Sequence, residues 1–494
     1  MSVERQSATA ARPAIATETH PDAQALRAWW TEAWSPATKE ETYEITDIEG
    51  EIPRELHGTL YRNGPSQVVL PEEGYHKLHL FDGDGLVNGF RFDDGHLHYR
   101  GRFVKDASYL REQKLGRYYP NGVNVVVPPE NDEFTIRQQH NTNVVHHAGK
   151  LLALVENAYP FELDPRTLDS IGNYVFDKPM VGYSVSAHPK IDGRTGQMLI
   201  HGYQWYEPYL QLYVIEPDGH CSLAEGVDAP YSVMMHDMAI SQNHAIFPLA
   251  PIMMDGNVLM GGGSLNQALS WDREKPLRFG VRPRSAGGEV RWFDAPSSAF
   301  FFHVGNAYEE NGKIFLDACT YQNPDNLLEG IREWRTGKMN YVDAVPYLYE
   351  LDLETGECRE KQLSDRGSEF PRLDDRLVGH PNRFGYAVVA RREAGNSYER
   401  VLGCIQKYDR QGGPSACHDF GVGQWTSEAV FVPRAPDAAE DDGFVVSVVY
   451  DGATRKSFVS VLDARNIEGK PLAKAHLSHR MPMGFHGNYA HGVV

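Results

Sequence analysis

Phe444-Val-Val-Ser-Val-Val-Tyr450, then Asp451-Gly452, then Ser457-Phe-Val-Ser-Val-Leu462: two runs of β-branched and aromatic residues flank a short polar turn, and together they predict one antiparallel hairpin. Strand-then-acidic-turn units of the same kind stand at Leu212-Tyr-Val-Ile-Glu-Pro-Asp-Gly219, Tyr349-Glu-Leu-Asp-Leu-Glu-Thr-Gly356 and Ile405-Gln-Lys-Tyr-Asp-Arg-Gln-Gly412. From Tyr349 to Ile405 is 56 residues and from Ile405 to Val459 of the last strand 54, while the 137 residues from Leu212 to Tyr349 leave room for two or more units. This spacing slightly exceeds the ~40–50 residues of a propeller blade, as blades with long loops would produce. The fold is therefore expected to be all-β, a propeller; a pair of β-sandwiches is the alternative, weakened by the lack of a linker between halves.

Bulk composition narrows the function classes. The 494 residues are 41% hydrophobic and 23% charged, ordinary for a globular chain with an ample core. A net charge of −19 repels phosphate backbones, so nucleic acid is not an expected partner. The five cysteines are odd in number and contain no Cys-x-x-Cys pair, which argues for reduced cytosolic thiols rather than a disulfide framework or a zinc-thiolate site. No window reaches the ~18 consecutive apolar residues of a membrane span, and Met1 to His20 lacks the apolar run of a secretory signal. A cytoplasmic protein is expected, with residues 1–21 a disordered tail and 22–494 a single propeller domain.

From Ala23 to Trp34, the residues Leu26, Trp29, Trp30 and Ala33 fall at three- and four-residue spacings and predict a short amphipathic helix. Its two adjacent tryptophans read as packing against the main body, with a membrane-facing helix as the alternative. Arg434 to Asp442 is charged and holds Pro436, but strand pattern resumes at once, so it reads as a surface loop.

Twenty-one histidines are present, and spacing alone does not select among them. Four lie among apolar or small residues: Ser186-Ala-His188-Pro-Lys, Met234-Met-His236-Asp-Met, Phe301-Phe-His303-Val-Gly and Gly484-Phe-His486-Gly-Asn. Such contexts make them candidates for burial, where an imidazole must find a partner. They are 48, 67 and 183 residues apart, which matches no local metal motif. A propeller removes that objection, because each blade sends one inner strand to a common axis. His146, His147, His244 and His380 sit among polar residues and read as structural or exposed.

Around these residues the chain resembles the carotenoid cleavage oxygenases, most of all the bacterial apocarotenoid oxygenases. The matching pieces run in one order from about Glu51 to His486. They include Ile52-Pro-Arg-Glu-Leu-His-Gly-Thr-Leu-Tyr-Arg-Asn-Gly-Pro65, Phe81-Asp-Gly-Asp-Gly85, Asn141-Thr-Asn143 and Leu151-Leu-Ala-Leu-Val-Glu156, then Ser186-Ala-His-Pro-Lys190, Asn306-Ala-Tyr-Glu-Glu-Asn-Gly-Lys313, Glu369-Phe-Pro371 and Ser427-Glu-Ala-Val-Phe-Val-Pro-Arg434. The resemblance implies a seven-bladed propeller capped by loops and short helices. It also implies Fe(II) held by His188, His236, His303 and His486, with Glu156, Glu369 and Glu428 accepting the outer N–H of His236, His303 and His486. Thr142 resembles the threonine near an open coordination position in that family; a plain strand hydroxyl is the other reading.

The implied reaction adds O2 across one double bond of a hydrophobic polyene or aryl-alkene and yields two carbonyl products, with no catalytic side chain beyond the iron cage. Phe301, Phe302, Tyr109, Tyr118, Tyr119 and Val155 are candidates for lining an apolar tunnel, plain core packing being equally open to them. Val155 stands where similar apocarotenoid enzymes carry tryptophan and lignostilbene-cleaving ones lysine. It counts against a phenolic stilbene and leaves small aryl-alkenes open. The weakly charged stretch Gly116-Arg-Tyr-Tyr-Pro-Asn-Gly-Val-Asn-Val-Val-Val-Pro-Pro129 is a candidate apolar patch for peripheral membrane contact.

Overall fold

The 444–462 hairpin forms as the residue pattern requires. In the computed structural model its strands are Gly443–Asp451 and Lys456–Asp463, in register from Phe444 opposite Asp463 to Asp451 opposite Lys456. Residues on both faces of Gly443–Tyr450 are buried, which a strand lying between two neighbouring sheets must be. Each fully buried Val or Phe there contributes on the order of 2 kcal/mol of transfer free energy. The structure describes residues 23–72, 79–119, 137–156, 158–325, 328, 344–391 and 402–494; the expected tail at residues 1–21 lies outside them.

Seven antiparallel sheets of four or more strands follow one another along the chain, with one small extra ribbon, and they form a seven-bladed propeller. The four repeat units read in the sequence are equivalent: Leu210–Ile215, Val345–Asp352, Cys404–Asp409 and Lys456–Asp463 each supply the third strand out from the axis of their blade. One further blade, with Arg278–Pro283 as its third strand, fills the long interval between the first two. Apolar clusters fill the spaces between blades, for example Phe90, Phe92 and Leu97 against Val446, Val448 and Val459.

The ring is closed twice. Gly487–His491 near the C-terminus pairs with Gly58–Ser66, and Ile48–Gly50 adds to Ala473–His476. The predicted helix spans Ala23–Ala33 and packs against the body, Leu26 and Trp30 joining Trp425, Tyr450 and Met483 in one cluster. Gly452 lets the hairpin turn approach this helix, since a Cβ there would stand 2.6 Å from the Trp29 indole. Arg434 to Asp442 is a loop joining two strands, as its sequence suggests. Among the described residues no helix is long and apolar enough to cross a membrane.

Candidate metal centre

Inner strands deliver the site. Thr142 and His188 lie just before the innermost strands Asn143–His147 and Lys190–Ile191, and His236 before Ala239–Ile240. His303 and Glu369 lie within Phe300–Glu310 and Ser368–Arg372, Glu428 between Gln424–Thr426 and Val430–Pro433, and His486 directly before Gly487–His491. One position from each of seven blades thus reaches the axis. His486 is fixed from behind: Asn63 N donates to its carbonyl at 2.8 Å, and its own N–H donates to the Thr142 carbonyl at 3.2 Å. Gly64 and Gly484 permit this approach, because a Cβ on Gly64 would stand 2.5 Å from the Gly484 Cα.

The four histidines converge, their facing ring nitrogens all within 4.8 Å of one another. His188 Nε2 is 2.9 Å from His236 Nε2, and His303 Nε2 is 3.1 Å from His486 Nε2. A carboxylate can only accept, so each glutamate fixes a tautomer. His303 Nδ1 donates to Glu369 Oε2 at 2.5 Å, His486 Nδ1 to Glu428 Oε1 at 3.2 Å, and His236 Nδ1 to Glu156 Oε1. Those three Nε2 atoms are left as lone pairs turned inward.

The glutamates are themselves anchored. Tyr203 O–H donates to Glu156, and Tyr321 O–H to Glu369 Oε1 at 3.0 Å. Glu428 instead faces two guanidiniums, Arg62 Nη1 at 3.0 Å and Arg372 Nη1 at 3.4 Å. Burial raises the Glu428 carboxyl pKa, but Arg372, His486 and Arg62 outweigh it and hold the group well below the usual carboxylate range. Burial also pushes the His486 imidazole down to about 4 and His188 well below its ordinary value, which keeps both rings neutral and able to ligate. For His303 burial acts downward too, yet Glu369 prevails and the net shift is upward.

These residues fit a divalent ion. Two imidazole nitrogens at right angles about one ion, each roughly 2.1 Å away, stand about 3 Å apart, as the two measured pairs do. Among the described residues no Lys or Arg pairs with Glu156 or Glu369, whose partners are imidazole N–H and tyrosine O–H donors. A divalent ion held by the four rings would answer the negative charge of these carboxylates, which would be costly to leave without a cation nearby.

Aromatic rings border the cluster. Phe302 meets His236 edge-on at 4.8 Å, Phe370 stacks on His303 at 5.1 Å, and Phe485 contacts Phe81 at 5.5 Å. Phe370 holds φ +53°, an uncommon conformation for a bulky residue and one that clusters at functional sites. Of the tunnel candidates, Phe302 reaches the ligand rings of His236 and His303. Phe301 is core, packed with Phe279 and Tyr349; Tyr109 stacks on Phe103, and Val155 is buried. Arg137 lies over Tyr118 and Arg111 over Tyr119. Most of the 116–129 patch, from residue 120 on, lies outside the described residues. Thr142 Oγ1 donates to Asn141 Oδ1 at 3.1 Å.

His380, 6% exposed, binds Asp192, His147 binds the Gly196 carbonyl and His244 binds Glu309, and none of the three belongs to the four-histidine cluster. The roles of Phe370, Tyr203, Tyr321, Arg62 and Arg372 are not legible in the sequence, although Phe370 and Arg62 lie inside the motifs Glu369-Phe-Pro371 and Ile52 to Pro65. A cavity of about 350 Å³ with mixed polar and apolar lining touches His188, His303 and His486 and is lined by the inner strands.

Comparison with known proteins gives the family and the fold. A family profile described as retinal pigment epithelial membrane protein matches residues 34–491. The carotenoid 9,10(9',10')-cleavage dioxygenase 1 of Pisum sativum is 33% identical, over 93% of this chain and 89% of its own. The lignostilbene-alpha,beta-dioxygenase isozyme III of Sphingomonas paucimobilis is also 33% identical, over 90% and 93% respectively. The crystal structure of cobalt-substituted apocarotenoid oxygenase from Synechocystis superposes with a TM-score of 0.85 at 29% identity, covering 94% of this chain and 99% of that one.

Proposed function

This chain belongs to the carotenoid cleavage oxygenase family, and from that premise we propose that His188, His236, His303 and His486 hold Fe(II) and that the protein splits one C=C bond of a carotenoid or apocarotenoid with O2. The observation that carries the reading is the inward-facing cluster of four Nε2 atoms, three of them backed by glutamates, of which Glu369 and Glu428 are buried and Glu156 half-buried. Bound Fe(II) would supply a redox-active centre at which O2 and an electron-rich alkene meet. The reaction balances as alkene plus O2 giving two carbonyls, so no reductant and no protein proton donor is required.

The chain's own contribution is placement. Glu156, Glu369 and Glu428 fix ring orientation, while Phe302 and Phe370 offer flat apolar faces that would hold one double bond of a polyene beside the site and exclude water. Thr142, through its methyl, would limit access to an open position. Peripheral contact of the 116–129 segment with a bilayer on the cytoplasmic side would bring the protein to lipid-like substrate.

Cleavage of stilbene or phenylpropenoid aryl-alkenes at the same site is the second reading, favoured by the equal identity to the lignostilbene-cleaving relative. The test is incubation of the Fe(II)-loaded protein with an apocarotenal, an intact carotenoid, a hydroxystilbene and an aryl-propene, under air and under argon, with products read by mass spectrometry. Oxygen-dependent carbonyl fragments from the apocarotenal or carotenoid are expected. Fragments from the aryl-alkenes alone would move the substrate class, and an isomerised but unbroken polyene would refute cleavage.

A further inference from the structure

Three ligand histidines have a carboxylate on Nδ1, and among the described residues His188 has none. Its chain segment is held in another way. Lys190, two residues further on, extends to the next blade, where its Nζ lies 2.8 Å from Asp237 Oδ1 and 3.0 Å from Oδ2. Asp237 directly follows His236, and its side chain is 1% exposed. Its Oδ1 also accepts Met238 N–H at 2.7 Å, and its Oδ2 accepts the N–H of Val304, the residue after His303, at 2.9 Å. One carboxylate therefore grips the segments that carry three of the four ligands.

We propose that the Lys190–Asp237 pair is the positioning device for His188, standing in for the glutamate which that histidine lacks, with Asp237 locking the His188, His236 and His303 segments to one another. The proposal rests on the reading of the four histidines as metal ligands. Its physical basis is that a buried carboxylate fed by two backbone N–H groups and an ammonium has nearly all its lone pairs committed, so none of the three segments can shift without breaking a charge-assisted bond. The pair is also neutral overall. It therefore adds no net charge to the site.

Lys190→Met separates positioning from plain electrostatics, because the two predict opposite signs. Removing a cation beside a divalent ion, and leaving Asp237 unpaired, would tighten metal binding if the field alone mattered. Loss of positioning weakens it. The experiment loads the metal-free full-length protein with Co(II), measures affinity by chelator competition, and records the ligand-field absorption of the bound ion. Lys190→Met is expected to bind Co(II) about 10-fold more weakly, with an altered absorption spectrum, and Lys190→Arg to restore most of both. Asp237→Asn, which keeps the shape but weakens the grip on Lys190, is expected to shift affinity and spectrum in the same direction as Lys190→Met. Equal or tighter binding in Lys190→Met with an unchanged spectrum would overturn the proposal alone. Failure of the wild-type protein to take up Co(II) would overturn the metal-site reading together with it.

Discussion

Glu369→Gln is the substitution whose consequence follows most fully from the geometry. The carboxylate is 4% exposed and takes three donors: His303 Nδ1 at 2.5 Å and Phe370 N at 2.9 Å on Oε2, and Tyr321 O–H at 3.0 Å on Oε1. Glutamine keeps the shape. Its oxygen can face His303 and Phe370 while its NH2 turns to Tyr321, whose hydroxyl oxygen can accept. What is lost is charge: hydrogen bonds to charged groups contribute about 1.5–3 kcal/mol against roughly 0.5–1.5 for neutral ones, a difference of about 1–2 kcal/mol at His303. That corresponds to about 5–30-fold weaker metal binding, and with reduced ring basicity added, activity is expected to fall about 10–100-fold. Chelator competition on the loaded variant, alongside turnover of a substrate cleaved by the wild type, gives both numbers. Wild-type affinity and wild-type turnover in Glu369→Gln would refute the idea that this carboxylate tunes the ligand.

His303→Ala removes a ligand outright and is expected to abolish stoichiometric metal retention, read by elemental analysis after gel filtration. Trp30→Ala empties a buried site shared with Trp425 and Tyr450 and is expected to lower stability by about 3–5 kcal/mol, seen in chemical denaturation; a membrane-facing helix would show almost no loss. The Cys417 thiol is held below its ordinary value by its hydrogen bond with Cys404 and by the Arg366 guanidinium, Nη1 3.3 Å from Sγ, against burial, which acts upward. Iodoacetamide is therefore expected to label Cys417 ahead of the other four cysteines, at a rate that rises with pH, read in peptide mass spectra. If the 116–129 segment meets a bilayer, the protein is expected to float with anionic or neutral liposomes in a density gradient; absence from the lipid fraction removes that contact.

The sequence made the repeat legible because propeller strands, buried on both faces, are written as unbroken β-branched runs that end in acidic turns. Val445-Val446 and Val448-Val449 show it plainly. It made the histidines legible for a related reason: a ligand at the axis needs small or apolar neighbours, as in Phe301-Phe302-His303. The anchors of the glutamates were not readable in this way. Tyr203 and Tyr321 lie in ordinary strand patterns, and only the closure of seven blades sets them against Glu156 and Glu369. Arg62 lies 366 residues from Glu428 along the chain, so no local pattern could reveal that pair. The split between tunnel and core was equally hidden, since adjacent Phe301 and Phe302 point to opposite faces of one strand and only the latter reaches a ligand ring.

The most direct test of the central claim is the oxygen stoichiometry of the reaction. Fe(II)-loaded protein is given a limiting amount of an apocarotenal in a closed oxygen-electrode cell without added reductant, and the carbonyl products are quantified by mass spectrometry. The account predicts one O2 consumed and two carbonyl products formed for each double bond lost, and neither process in His303→Ala. Polyene consumed without O2 uptake, or O2 consumed without carbonyl fragments, would contradict it.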